Sequence, residues 1–372
     1  MTDKPKKPSE HRRWIACPTE EEYFGDRKAS RKERRRLTEK DRSKYKKTDQ
    51  KKLEKHAATQ KENLLRGRVL SVISEGIIVD TDGTIILCTL RGLLKKEKSL
   101  QKNLVIVGDF VLYEKISDEE GAIEHVEPRN STLSRADTLS HKKEHLIAAN
   151  IDQVLITGSV VDPMLKPPLI DRYIIAARKG NMDPVIVINK IDLLKQDPKE
   201  KELLNACIEA YASANIPILQ LSVETGEGLD ELRAVMKDKA SVFSGQSGVG
   251  KSSLINSITG LDLEVGETVK RTRKGAHTTT SAHLVRLEFG GWCIDTPGIR
   301  SFGVWNLVAD EVQHYFAEIL ELSSDCKYPN CSHIHEPDCV VREAVEKGEI
   351  SKLRYESYHS LMKTVDEEHK RR

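Results

Sequence analysis

The chain has 372 residues, room for two or three domains that each bury a core. An apolar share of 38 % and a charged share of 32 % suit a globular protein with a polar surface, and apolar runs no longer than strands, such as 184–188, exclude a membrane-spanning helix. The net charge of +2 hides an asymmetry: residues 1–60 carry 20 Lys/Arg against 11 Asp/Glu and the other 312 carry 40 against 47, so the arm is +9 and the body −7.

The arm, 1–62, is too poor in apolar residues to offset chain entropy and is expected to be disordered when free. It reads either as a solubilising tail or as a basic arm that contacts phosphates by releasing counterions, with 31–55 forming a helix on its partner. Lys4, Lys6, Lys7, Arg12 and Arg13 are followed by no apolar segment, so no secretory signal is read and a cytoplasmic location is expected. Of Cys17, Cys88, Cys207, Cys293, Cys326, Cys331 and Cys339, only the last three cluster, which favours metal ligation in a reducing compartment over a disulfide framework.

Next come short β runs at 66–73, 76–80, 84–90, 105–114 and 122–126, punctuated by Gly83, Gly92, Gly108 and Gly121. Five strands in so short a stretch predict a small barrel over 63–135, with an OB-fold the commonest candidate and an SH3-like barrel or structural cap the alternatives. From about residue 150 the pattern changes to strands at 153–161, 184–188, 218–221 and 241–244, alternating with helices near 170–178, 199–212 and 229–237 and one starting at Lys251. Such alternation predicts a parallel sheet covered on both faces, over 136–305, with ligands beyond the carboxyl ends of its strands. The chain thus reads as a multidomain α/β protein.

The motifs follow those strands. Gly245-Gln246-Ser247-Gly248-Val249-Gly250-Lys251-Ser252, then Ser253, fits the phosphate-binding pattern G-x-x-x-x-G-K-[ST] between a strand and a helix. Its glycines let backbone N–H groups turn toward phosphates, the helix N-terminus adds positive partial charge, Lys251 would reach the β and γ phosphates, and Ser252 would ligate magnesium. Asn189-Lys190-Ile191-Asp192 supplies the base reader: a carboxylate at Asp192 accepts from guanine N1–H and the N2 amino group, a donor pair that adenine lacks. Asn189 can bond the base edge and tie loops together, and the Lys190 stem can cover the ring. Ser222-Val223-Glu224-Thr225-Gly226 would bring backbone amides to the guanine oxygen. Downstream, Gly275-Ala276-His277-Thr278-Thr279-Thr280 offers a threonine hydroxyl, Thr279 the candidate, to magnesium and the γ-phosphate. Asp295-Thr296-Pro297-Gly298 would hold magnesium through water at Asp295 and donate the Gly298 N–H to the γ-phosphate.

In ordinary GTPases the phosphate loop comes first and N-K-x-D last; here Asn189 to Asp192 precedes Gly245 to Ser253, which precedes Thr279 and Asp295. That order is a circular permutation, tolerated in compact domains whose termini lie close together. The phosphate-loop residues, with Ala148-Ala149-Asn150-Ile151-Asp152-Gln153 upstream, closely resemble the ribosome small-subunit-dependent GTPase A family, RsgA or YjeQ, over about 64–372. The resemblance implies an N-terminal OB-fold, a circularly permuted P-loop GTPase domain and a C-terminal helical zinc-binding domain over 306–372. It implies action on the 30S subunit and its 16S rRNA in late maturation, with monomeric state and no membrane partner as the default expectations.

Cys326-x4-Cys331-x-His333-x5-Cys339 offers three thiolates and an imidazole, a donor set for tetrahedral structural zinc, and it matches that family's spacing. His335 is an extra histidine, beside the site or on the surface. Arg342, Lys352, Arg354, Lys363, Lys370, Arg371 and Arg372 read as RNA contacts or solvated faces. After Gly298 stands Ile299, where a Ras-like enzyme has its water-orienting glutamine. The resemblance makes His277 the candidate for that task, beside Lys251, with slow free turnover accelerated by the ribosome. Because the loops at 275–280 and 295–298 come directly before the zinc-bearing segment, the GTP state is expected to couple to ribosome grip. The competing reading is an RNA-binding scaffold with a structural nucleotide site; a metabolic kinase is disfavoured by Asp192. The long basic arm departs from the short extension of the family.

Overall fold

The structure, a computed structural model, describes residues 64–91, 104–136, 144–196, 198–260, 282–295 and 307–370. The basic arm and its 31–55 helix lie outside the described residues, as do His277, Thr279, Gly298 and Ile299.

The first β runs alternate buried and solvent-facing residues, the period of a half-buried strand. They form β1 (Leu65–Val72), β2 (Ile77–Thr81), β3 (Thr84–Leu90), β4 (Phe110–Lys115) and β5 (Glu120–Val126), closed in the order β1-β2-β3-β5-β4. Inward residues such as Val69, Val79, Cys88, Val111 and Ile123 make its core. The β3–β5 pair is parallel and the other four are antiparallel. That parallel closure is the OB arrangement and sets the SH3-like alternative aside.

The run 105–114 is not one strand. Gly108, at φ +86°, turns the chain there, and a Cβ on it would stand 2.0 Å from the Ala149 carbonyl oxygen. Fully buried Asp109 locks the turn, accepting from the Ile106 amide at 2.8 Å and from both forks of Arg129 at 2.7 and 2.9 Å. A ribbon that the sequence reading did not foresee follows, β6 (Thr132–Ala136) antiparallel to β7 (Glu144–Ala149). Asn150 then ties the barrel to the sheet: its amide donates to Gly108 O at 3.1 Å and accepts from Asn130 N at 2.9 Å.

The second sheet runs β10-β9-β8-β11-β13-β12: β8 (Gln153–Ser159), β9 (Asp183–Asn189), β10 (Ile218–Gln220), β11 (Ala240–Gly245), β12 (His283–Arg286) and β13 (Trp292–Asp295). All pairs are parallel except β12–β13. Successive residues of one strand serve opposite faces. Val154 and Ile156 pack with Ile170, Ile174 and Leu204 of helices α1 (Pro167–Lys179) and α2 (Pro198–Ser213). Leu155 and Phe243 pack with Leu232, Met236, Leu254 and Ile258 of α3 (Leu229–Met236) and α4 (Lys251–Thr259). Burial on both faces explains why β8, β9 and β11 read as apolar runs. α1 begins on two prolines, which need no intrahelical N–H partner in a first turn, and ends on Arg178, Lys179 and Gly180.

The chain closes with α5 (Ala309–Val312), α6 (Ala317–Ser323), α7 (Val340–Lys347) and α8 (Lys352–Lys370). Phe316, Ile319, Val341, Tyr358 and Leu361 form their core, into which α1 sends Ile175. Arg354 corrects the sequence reading, being neither a nucleic-acid contact nor on a solvated face. It is 1 % exposed, donates to Asp171 of α1 and to Glu318 of α6 at 2.6 Å, and stacks 4.3 Å from the Phe316 ring. Burial works to raise the Asp171 carboxyl to about 6, against the pull of Arg354. Removing the guanidinium leaves two carboxylates without their cation, so Arg354→Met should cost about 3–5 kcal/mol. Urea denaturation with the slope checked for constancy measures this; a loss under about 1 kcal/mol would contradict it.

Candidate nucleotide site and metal centre

The phosphate-loop residues bridge β11 and α4. Gly245 closes the strand, Gln246 to Gly250 make the turn, and Lys251, Ser252 and Ser253 open the helix. Gly250 has φ +91°, and a Cβ there would lie 2.4 Å from Asn189 Nδ2, so both the dihedral and the space require glycine. Lys251 Nζ is 2.8 Å from Gly245 O and also donates to Gln246 O, which draws the ammonium back across the mouth of its own loop.

The N-K-x-D residues close β9 and enter a 3-10 turn over Ile191–Gln196. Asn189, buried, donates from Nδ2 to Val249 O at 2.9 Å, linking this motif to the phosphate loop 60 residues later. Its Oδ1 accepts from Lys190 N at 2.8 Å and Val223 N at 3.3 Å. Ser222, fully buried after β10, donates to Asp192 Oδ1 at 2.6 Å and fixes that carboxylate. Two amides that the sequence offered to a guanine oxygen are engaged within the protein: Val223 N as above, and Thr225 N on Ser222 Oγ at 3.2 Å. The loop after β8 was missed entirely, although the Asp162 carbonyl accepts from Lys190 Nζ. No local spacing announces a contact across 28 residues. Asp295 ends β13, beside β11, so the motif strands β13, β11 and β9 all present their carboxyl ends to one edge.

Cys326, Cys331, His333 and Cys339 converge with their ligand atoms all within 4.8 Å. Cys326 Sγ lies 3.6 Å from His333 Nδ1 and 3.9 Å from Cys339 Sγ, and Cys339 Sγ lies 3.5 Å from Nδ1. Ion–ligand bonds of about 2.3 Å to sulfur and 2.0–2.1 Å to nitrogen place tetrahedral neighbours about 3.5–3.8 Å apart, so the donors fit a four-coordinate metal. Burial pushes the Cys331 thiol up to about 12, raises Cys339 and lowers His333, so a cation is needed to hold these sulfurs as thiolates. Nδ1 is the inward atom because Nε2 faces Gln313 Oε1 at 3.3 Å, and Tyr355 O–H donates to the His333 carbonyl at 2.7 Å. Glu336 anchors the loop, accepting from Ser332 N at 2.9 Å and Ser332 Oγ at 2.7 Å; burial works to raise its carboxyl, and the donors bring it down to about 2. Gln313, Tyr355 and Glu336 carry no spacing signal in the sequence. His335 lies at the surface, 81 % exposed, outside the cluster.

The description "RsgA GTPase" matches residues 126–305, and "RsgA N-terminal domain" matches 66–123. A small ribosomal subunit biogenesis GTPase RsgA of Chlorobaculum parvum is 40 % identical over 314 residues, 82 % of this chain and 99 % of that protein. The chain belongs to the RsgA GTPase family. The RsgA of Shewanella oneidensis is 39 % identical over 304 residues, 81 % of this chain and 84 % of its own length. Among solved structures, YjeQ of Thermotoga maritima superposes with a TM-score of 0.67 at 34 % identity, covering 81 % of this chain and 98 % of that one. YloQ, described as a circularly permuted GTPase, gives 0.66 at 28 % identity over 83 % and 98 %. A permuted order of the motif strands is thus a feature that this chain has in common with YloQ. No helix among the described residues is long and apolar enough to cross a membrane.

Proposed function

We propose that this chain hydrolyses GTP during maturation of the small ribosomal subunit, the process in the names of its relatives, and that it leaves the subunit on hydrolysis. The observation that carries the reading is the Asn189–Val249 hydrogen bond with the Ser222–Asp192 bond beside it, which gathers base reader and phosphate loop at one edge of the sheet. In this reading Gly245, Gln246, Ser247, Gly248, Val249 and Gly250 surround the phosphates with backbone N–H groups and Lys251 neutralises the β and γ oxygens. Ser252, with Ser253 behind it, Thr279 and Asp295 would hold magnesium, which would neutralise charge on the phosphates, while the Gly298 N–H would donate to the γ-phosphate. Asn189, Lys190, Ile191, Asp192 and Ser222 select guanine. His277 positions the attacking water where Ras-like enzymes use glutamine. Cys326, Cys331, His333 and Cys339 would hold zinc, which would supply folding energy to the C-terminal segment and no catalytic position.

The same reading divides the chain into a basic arm at 1–62, a barrel at 63–135, a GTPase domain at 136–305 and a zinc-binding domain at 306–372. It has the protein work as a cytoplasmic monomer that contacts 16S rRNA. GTP turnover measured with and without purified small subunits tests it: strong stimulation is expected, and its absence would favour an RNA-binding scaffold. His277→Ala should keep GTP affinity within about twofold and lose at least about 10²-fold of the stimulated rate, the scale of a positioned proton-transfer or water-orienting group. Unchanged stimulated turnover would remove His277 from the mechanism.

A further inference from the structure

Strands β12 and β13 form one antiparallel ribbon joined by a short turn, in which Leu287 N donates to Gly291 O at 3.0 Å. Each strand continues from or into a loop assigned above to the γ-phosphate: 275–280 leads toward β12, and Asp295 ends β13. His283 faces Asp295 at that end of the ribbon, and Arg286 faces Trp292 at the other. The distant end is where the barrel arrives. Arg68 of β1 sets its guanidinium 5.5 Å from the Trp292 ring, Arg286 lies 5.9 Å from the same ring, and Leu70 packs with Trp292 onto one core.

Arg68 is held, yet unevenly. Its Nη2 donates to Asn150 O at 2.6 Å and its plane stands 5.1 Å from the Phe110 ring, while its Nε is buried without a hydrogen-bond partner. A fixed guanidinium transmits displacement to the ring it covers, and an unpartnered Nε leaves a second arrangement without a bond to lose there. Phe110 and Arg68 belong to the barrel, and Trp292 stands three residues before Asp295 in a single strand.

We infer that Arg68 is a positioning residue that couples the barrel to the β12–β13 ribbon, so that engagement of the barrel by the small subunit biases the loops around the γ-phosphate. The inference rests on the subunit-stimulated GTPase reading. It requires that β13 shift against Arg68 between nucleotide states, and that the shift act mainly on the rate at saturating subunit concentration, the reciprocal effect on subunit affinity staying within about threefold.

The test uses the full chain with Trp14 and Trp305 changed to Phe, which leaves Trp292 as the one indole of three. A non-hydrolysable GTP analogue should change Trp292 emission relative to GDP, and Arg68→Met should abolish that change while nucleotide affinity stays within about threefold. With small subunits, Arg68→Met should lower the stimulated kcat at least about fivefold, within the roughly thirtyfold that a desolvated cation–π contact can bias. The KM for subunits and the unstimulated rate should stay within about threefold. Arg68→Lys, which keeps a charge over the ring, should recover half or more of the loss. Trp292→Leu, which removes the ring and keeps an apolar side chain in the core, gives a second route to the same deficit and should add nothing to Arg68→Met. Stimulation of Arg68→Met equal to wild type would overturn the proposal, as would a defect in KM alone, the mark of a surface contact. A wild-type protein that subunits fail to stimulate would instead sink the underlying reading of function, and this proposal with it.

Discussion

Asp192→Asn is expected to lower GTP affinity by about 10²–10⁴-fold and to create affinity for xanthosine triphosphate. In the proposed reading the carboxylate would accept from two guanine donors, each charge-assisted bond contributing about 1.5–3 kcal/mol. Asparagine keeps one acceptor and turns a donor toward the guanine amino group, so a donor faces a donor. Xanthine carries a carbonyl at that position, and the new amide then has its partner. The fold should be untouched, because Ser222 Oγ, now 2.6 Å from Asp192 Oδ1, can donate equally to an amide oxygen. Titration with fluorescent GTP and XTP measures both arms. Retention of GTP binding with no gain for XTP would mean that Asp192 does not read the base.

Cys339→Ser should remove the bound metal and unfold the C-terminal helices locally. Cys339 is 4 % exposed, lies 3.5 Å from His333 Nδ1 and immediately precedes α7. Structural zinc supplies about 10–16 kcal/mol to peptides that fold only around it; here Phe316, Tyr358 and Leu361 retain a partial core, so a net loss of several kcal/mol is expected. If the site holds zinc as proposed, elemental analysis should give one zinc per chain for the unaltered protein and below about 0.1 for the variant. Hydrogen exchange should lose protection over 317–370 while β8, β9 and β11 keep theirs. A chelator should reproduce both changes in the unaltered chain. Full zinc content in the variant would show that the other three ligands suffice.

The residues of the candidate site were legible because its parts are local. Gly245 to Ser253 and Asn189 to Asp192 each carry a complete motif within ten residues, and the metal donors lie within fourteen. What sequence could not supply was pairing at a distance. OB and SH3-like barrels present similar short strands; the parallel β3–β5 contact that separates them joins residues such as Cys88 and Gly121. β12 is four residues long, too short for an alternating pattern to stand out, and β6 and β7 declare themselves only by pairing with each other. Arg354 looked like one more surface cation because its partners, Asp171 and Glu318, are 183 and 36 residues away. The Asp192–Ser222 bond lies between these cases: both residues were singled out, but their hydrogen bond follows from the side-by-side placement of β9 and β10.

The place of β11 in the sheet, between β8 and β13, also bears on how the protein is made. β8 leaves the ribosome first, and both its faces and its edge await partners, but β11 begins 81 residues after β8 ends. At about 5–20 residues per second that interval lasts roughly 4–16 s. Until Asn189 has been added neither neighbour exists, and from then until β11 is made the edge of an apolar strand, Val154 to Ile156, has its β9 neighbour and lacks the other. In the unpermuted order the phosphate-loop strand would be synthesised first and the wait would fall on it. Permutation thus moves the unpaired interval from the phosphate loop to the base-reading half, and β8 becomes the segment on which a nascent-chain chaperone would act.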